Sequence, residues 1–394
     1  MTQTVTVRLD APANDMAQEE IQKQVAYLSN TTRNVRFSEQ GAVLEFEASA
    51  DASSADLAAN AKALAQRVQR SLRKLQRKVA FRSPLMDRPV FHGSGQVAGI
   101  HPLGTGQVAL SALPLRLFRY FDRVFEEFGH PWDAEPILTP TLIPTRTLAK
   151  CDYLRSFPHN VTFACHMQEN PERIEDFRAR HHDREDLDER ALQDMEKPEA
   201  CLSPAVCYHV YHLNEGRTVP AAGLAYGICG KCFRFESSNL SDLRRLWDFT
   251  MREVVFLGEQ HDLLQRRQRG IEMSARFLEE HELAGEIRTA SDPFFIAPDA
   301  LAKTYFQLSS ETKFEISLLL PDDARLAVGS LNYHTDFFGR AFNVTIEGAG
   351  PMHSVCIAFG LERWVYAFLA QHGEDIRRWP AMVREAPEIS GRIH

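Results

Sequence analysis

The chain has 394 residues, 44% apolar and 25% charged, a balance that gives ample material for a core and excludes wholesale disorder, a collagen-like fibre or a disulfide-dense mini-domain. No apolar run approaches the ~20 residues of a membrane span, and the N-terminus MTQTVTVRLDAPAND lacks the basic and apolar regions of a secretory signal. The net charge of −8 argues against broad nucleic-acid binding, and seven cysteines fit a reducing cytoplasm better than a disulfide framework.

Residues 1–82 read as a small β-α-β-β-α unit. TVTVRLD (4–10) alternates like a strand, Asp15 is placed to cap a helix over 19–28, and short strands follow at 35–37 and 42–46 around the turn Gln40-Gly41. A second helix is expected over 56–78, because Leu64, Val68, Leu72, Leu75 and Val79 recur at helical spacing. Its other side carries Arg67, Arg70, Arg73, Lys74, Arg77 and Lys78, a basic stripe read as a solvated face, as a docking surface for an acidic carrier protein or, with less weight, as a contact for a tRNA acceptor end. Residues 83–101, rich in Pro and Gly, read as a linker.

From residue 102 to 394 a larger α+β body is expected. A helix over 114–128 is closed by Gly129-His130-Pro131, and a strand ends at Pro140. Two charged helices are expected within 171–197, then β-rich segments at 203–213, 223–236 and 247–257, and a helix over 260–281. Strands at 312–320, 325–329, 342–346 and 352–358 lead to a helix that starts at Gly360. Consecutive strands with helices at intervals predict a large, mainly antiparallel sheet flanked by helices.

The most informative stretch is CFRFESSNLSDLRRLWDFTMREVVFLG (232–258), two strands joined by a polar loop. Arg234 and Glu236 share one face of the first strand; Phe249, Met251 and Glu253 share one face of the second. A cation, a flat ring and a carboxylate on one sheet suit a nucleotide, although a half-buried hairpin with surface ion pairs has the same pattern. In CIAFGLERWVYAFL (356–369), Arg363 falls in a first helical turn, where it opposes the helix dipole and invites an external anion. Solvent snorkelling is the plainer reading.

Together these residues resemble the three motifs of class II aminoacyl-tRNA synthetases, in order, over about residues 102–380. The helix and proline-ended strand at 114–140 match the first motif. Phe233-Arg234-Phe235-Glu236 with Arg245, Phe249 and Glu253 match the second, and Gly360-Leu361-Glu362-Arg363 the third. The resemblance implies a class II antiparallel sheet, a homodimer built through the first motif, and use of ATP and Mg²⁺. By it, Arg234, Glu236 and Arg363 carry the catalysis: Arg234 holds the α-phosphate and Glu236 contacts the base or the substrate amine. Phe249 stacks on adenine, and Arg245 and Arg363 clamp the departing pyrophosphate.

Cys207 in LSPAVCYHVY, Glu253 in MREVV and Cys356 resemble the zinc ligands of atypical, archaeal-type seryl-tRNA synthetases and of the amino acid:[carrier protein] ligases. Three ligands leave one position of a Zn²⁺ ion open for a substrate amine. The segment LNYHTDFFG (331–339) is similar to the ligase branch. Ala327 stands where ordinary seryl enzymes carry a metal-binding Glu, which leaves the Mg²⁺ ligands unassigned.

Other metal readings are weaker. Cys229 and Cys232 form a C-x-x-C whose residues face opposite sides of a strand, and Cys201 and Cys207 do not supply a second pair at the right spacing. His212 is expected on the strand face opposite Cys207, and satisfied histidines are expected at 209 and 212. Cys151 and Cys165 are read as small buried hydrophobes.

The expected function is ATP-dependent activation of glycine, alanine or serine, then transfer to the phosphopantetheine thiol of a carrier protein. The 1–82 unit has no helical hairpin long enough to reach along a tRNA, so a tRNA is not the expected acceptor. The alternatives are an atypical seryl-tRNA synthetase-like enzyme and a regulator without catalysis, the latter disfavoured because Arg234, Glu236, Phe249 and Arg363 are all present.

Overall fold

The computed structural model describes residues 2–391 apart from positions 27, 30, 73–76, 94–96, 237–239, 241, 292–306, 309 and 322. Its centre is an eight-stranded sheet in the order Val79–Arg82, Gly285–Thr289, Lys313–Leu319, Arg325–Tyr333, His353–Gly360, Asp248–Gly258, Leu224–Phe233 and Glu135–Ile137. Every pairing is antiparallel except the last, where Glu135–Ile137 runs parallel to its neighbour. This is the mainly antiparallel, helix-flanked α+β sheet expected from the sequence.

Alternation along the Asp248–Gly258 strand divides the core between the two faces. Val254 and Phe256 join a cluster under the helices Ala112–Glu126, Gln260–Glu280 and Leu361–His372, while Val255 and Leu257 join a second cluster with Val210 and Phe342. Aromatic stacking locks the first: Phe125 lies parallel to Phe359 with ring centroids 4.0 Å apart. Glu362, in the first turn of the last long helix, accepts from the Thr250 amide and hydroxyl, each at 2.8 Å. That pair of bonds fixes the helix start against the central strand.

The N-terminal unit is a three-stranded antiparallel sheet with Val43–Ser49 between Thr2–Arg8 and Arg33–Ser38, covered by helices Asp15–Val25 and Ser54–Leu72. Asn14, not Asp15, is the first helix's cap, its side chain accepting from the Ala17 amide at 2.8 Å. The second helix is described only to Leu72, and Arg73, Lys74 and Leu75 lie outside the described residues. Val79 is in a sheet-edge strand rather than on that helix. The expected basic stripe is also interrupted: Arg77 pairs with Glu19 and Lys78 with Glu311.

Within 83–101 the chain is anchored at a few points. Met86 is buried, and the His92 and Gly93 amides donate to the Gln371 and Ala370 carbonyls at 3.0 and 3.1 Å. A Cβ on Gly93 would stand 2.7 Å from the Leu369 carbonyl oxygen, so this close approach needs glycine.

Three further expectations are corrected. Residues 203–213 are not β-rich but contain the helix Cys207–Leu213. The 171–197 stretch holds one α-helix, Pro171–His181, followed by the short 3-10 turn Ala191–Asp194. Between 337 and 346 the chain forms the helix Phe337–Ala341 and only a two-residue strand, Thr345–Ile346.

Candidate active site

All eight residues singled out for nucleotide and metal chemistry, Cys207, Arg234, Glu236, Arg245, Phe249, Glu253, Cys356 and Arg363, line one cleft of about 1710 Å³. Three adjoining strands and two helix starts bring them together. Cys356 pairs with Val255 across the sheet, which places it diagonally beside Glu253. Cys207 reaches the same point from the first turn of its short helix.

The ligand atoms of Cys207, Glu253 and Cys356 all lie within 4.8 Å of one another, and all three residues are buried. Their proton balance is strained. Burial first, then the charge of Cys356, pushes the Glu253 carboxyl up to about 8. The hydrogen bond with Cys207 holds the Cys356 thiol well below its ordinary value, while the same bond and burial raise Cys207. Glu253 Oε2 is buried without a hydrogen-bond partner among the described residues. A divalent cation would satisfy that oxygen and both sulfurs at once, so the trio fits a metal. Two neighbours were not singled out from the sequence: Asn332 Nδ2 donates toward Cys356 Sγ at 3.5 Å, and His334 Nε2 lies 3.8 Å from it. Both sit inside LNYHTDFFG, a segment noted only as a whole.

The arginines converge from different elements. Arg234 Nε donates to the Pro204 carbonyl at 2.9 Å, and its guanidinium carbon lies 5.4 Å from the Phe249 ring centroid. Arg245 Nε is 3.0 Å from Glu236 Oε2, and among the described residues that buried oxygen makes no hydrogen bond. Arg363 donates to the Arg244 carbonyl at 2.7 Å and to the Ala327 carbonyl at 3.0 Å. It therefore points into the cleft rather than snorkelling outward, and burial lowers its pKa. Position 327 offers only a backbone oxygen here; the neighbouring strand supplies a cleft carboxylate, Glu315, opposite Ser330.

The remaining thiols and histidines fall elsewhere. Cys229 packs against the core on one face of the sheet and Cys232 in the core on the other, and burial pushes the Cys229 thiol up to about 12. All seven cysteines are free. Cys151 is buried, but Cys165, just past the two-residue strand Phe163–Ala164, is exposed, contrary to its reading as a buried hydrophobe. His209 and His212 share a helix with Cys207, so the strand-face argument does not apply. His212 lies 3.2 Å from a Glu215 oxygen, whereas buried His209 Nε2 has no partner, and burial lowers its pKa to about 4.

No family model matches the chain. It is 31% identical over 266 residues to the amino acid–[acyl-carrier-protein] ligase 1 of Bradyrhizobium diazoefficiens, covering 66% of this chain and 79% of that one. It is 28% identical over 297 residues to the type-2 serine–tRNA ligase of Methanopyrus kandleri, covering 72% of this chain but only 56% of that protein's length. In fold it resembles the M. kandleri seryl-tRNA synthetase solved in complex with A. aeolicus tRNASec, with a TM-score of 0.66 and 22% identity over 100% of this chain and 78% of that one. The chain belongs to the class II synthetase-like family that includes the amino acid–[acyl-carrier-protein] ligases and the type-2 serine–tRNA ligases.

Proposed function

We propose that the protein activates a small amino acid (glycine, alanine or serine) with ATP and transfers it to the phosphopantetheine thiol of a carrier protein. The observation that carries this reading is the metal-fitting trio Cys207, Glu253 and Cys356 in the same cleft as Arg234, Arg245 and Arg363. A zinc ion held by the trio would offer an open position to the substrate amine, as a Lewis acid that selects an amino acid.

In the first step a carboxylate oxygen of the amino acid bonds to the α-phosphorus, and the bond from that phosphorus to the bridging oxygen breaks. Pyrophosphate leaves with the electron pair. Arg234 is assigned to the α-phosphate, with Arg245 and Arg363 on the departing pyrophosphate. Phe249 stacks on adenine and Glu236 contacts the base or the amine. Mg²⁺ requires oxygen donors, and Glu315 supplies a carboxylate where position 327 has none. In the second step the acceptor sulfur bonds to the carbonyl carbon, its proton passes to solvent, and AMP leaves. Positioning and charge neutralisation account for the acceleration, without a protein nucleophile.

The ligase similarity, 31% over 79% of the relative, supports a carrier protein as acceptor. Among the described residues the longest helix is the 21-residue Gln260–Glu280, which packs on the sheet, so no long helical hairpin projects as a tRNA arm. The second reading, tRNA charging, is favoured by the fold likeness to the seryl-tRNA synthetase over the whole chain. We assign the protein as a homodimer acting in the cytoplasm. Leu138 at 94% exposure follows the strand Glu135–Ile137, which stops three residues short of Pro140, and Leu142 at 47% and Phe163 at 50% lie on the small sheet around Ala200–Leu202, apolar surface that a second copy would cover. ATP–pyrophosphate exchange without tRNA, run over a panel of small amino acids, tests the activation step. Exchange with one or more of them is expected, and none with any would reject the reading.

A further inference from the structure

The N-terminal unit is part of the active-site cleft. Gln22 and Lys23 of the helix Asp15–Val25, and Asn34 and Arg36 of the strand Arg33–Ser38, line the same cavity as the nucleotide arginines. A chain of ion pairs fixes this wall. Glu19 holds Arg77 through both oxygens and meets Arg288 Nη2 of the large sheet at 2.6 Å. Arg288 continues to Glu286 at 3.1 Å, and Glu286 to the cleft-lining Arg325 at 3.0 Å. Arg288 and Glu286 are both buried, so removing either partner would strand a buried charge, and the wall is held rather than loosely attached.

The wall brings two cations to the cleft: Lys23 makes no ion pair within 4 Å among the described residues, and Arg36, 72% exposed, pairs with Glu45 through Nε at 2.9 Å. Gln22 and Asn34, on the same two elements, bring side-chain amides to the cavity; Gln22 Nε2 donates to the Val35 carbonyl at 3.5 Å and Asn34 Nδ2 to Glu47 Oε2 at 3.0 Å. ATP is assigned to the arginine pole and the amino acid to the metal trio. What remains for the third wall is the acceptor. Single-stranded nucleic acid is gripped on stacking platforms, yet Phe37, the aromatic ring that the described residues of this unit bring to the cleft, packs against the unit's own core.

Resting on the function proposed above, we infer that the N-terminal wall binds the acceptor arm: Lys23 and Arg36 take its phosphate, and Gln22 and Asn34 its amide groups. The arm is an amide-bearing chain with a phosphate at one end and the thiol at the other, and the wall carries groups that suit both the phosphate and the amides.

The test uses the full chain, with 4′-phosphopantetheine and unphosphorylated pantetheine as acceptor thiols. The wild type should show a KM for the phosphorylated thiol lower by about tenfold, as expected for one charge-assisted contact. In the double variant Lys23→Ala/Arg36→Ala that difference should collapse to within about twofold, with pyrophosphate exchange unchanged. A wild type indifferent to the phosphate, or a double variant that keeps the full preference, overturns the inference and leaves the proposed function standing. A wild type that exchanges pyrophosphate but aminoacylates neither thiol overturns both. Charging of tRNA that fails in the double variant would assign the wall to nucleic acid and overturn the inference.

Discussion

Arg363 donates through Nη1 to the carbonyl of Ala327 at 3.0 Å, joining the first turn of the last long helix to a strand two places away from the nucleotide hairpin. Its Nε bonds to the Arg244 carbonyl at 2.7 Å, so one side chain is braced from two sides before any ligand arrives. That preorganisation is what an arginine needs if it is to act on phosphate charge without reorganising during the reaction.

Arg363→Ala and Arg234→Ala should therefore each reduce ATP–pyrophosphate exchange by orders of magnitude. Each removes a charge-assisted contact of roughly 1.5–3 kcal/mol even before any effect confined to the transition state. Arg234→Lys should not restore the rate, because an ammonium lacks the planar fork that donates to Pro204 while stacking on Phe249. Normal exchange in both alanine variants would remove the nucleotide assignment.

The metal trio predicts one tightly bound zinc per chain. Cys356→Ser should release it and abolish amino-acid activation while the fold persists, since the residue is one buried side chain in a sheet held by many pairings. Cys229→Ser, on the other sheet face, should retain the metal. Metal analysis of the two purified variants checks this, and the reverse pattern would show the assignment to be wrong.

The proposed homodimer is tested at the exposed Leu138, Leu142 and Phe163. Light scattering at micromolar concentration should give twice the chain mass, and Leu138→Glu should shift the protein toward monomer. A wild-type monomer would contradict the homodimer.

Acid sensitivity has an identifiable source in His281. Its Nδ1–H donates to the Phe277 carbonyl at 2.8 Å, and Nε2 accepts from the Tyr120 hydroxyl at 2.7 Å, with His372 close by. Burial lowers its pKa from 6.5 to about 4. The neutral ring is the form that fits, so its contribution is complete above pH 6.5 and is lost as pH falls through 4. Within that window it adds a slope of up to about 1.4 kcal/mol per pH unit. Urea unfolding between pH 7 and 4.5 should show a shallower decline in His281→Asn than in the wild type; parallel declines would remove His281 as the cause.

The hairpin over 232–258 was legible because strand alternation places Phe249, Met251 and Glu253 on one face whatever the surroundings. Cys207, expected on a strand, lies on a helix instead. CYHVYHL is short and apolar on most sides, and over seven residues a buried helix and a buried strand share one pattern. Arg77 looked like one member of a surface stripe because its partner, Glu19, lies 58 residues away and no local rule exposes such a pair. The N-terminal wall of the cleft was illegible for the same reason: Lys23 and Arg36 come to line one cavity with Arg363 only in the folded chain.

The central claim is that this cleft charges a carrier thiol with an amino acid through an adenylate. The direct measurement offers the enzyme ATP, a labelled small amino acid that supports exchange, a carrier protein with its phosphopantetheine attached, and tRNA in one reaction. The label should appear on the carrier protein, only when its prosthetic thiol is present, and not on the tRNA. Label on tRNA alone, or on neither acceptor while pyrophosphate exchange proceeds, would contradict it.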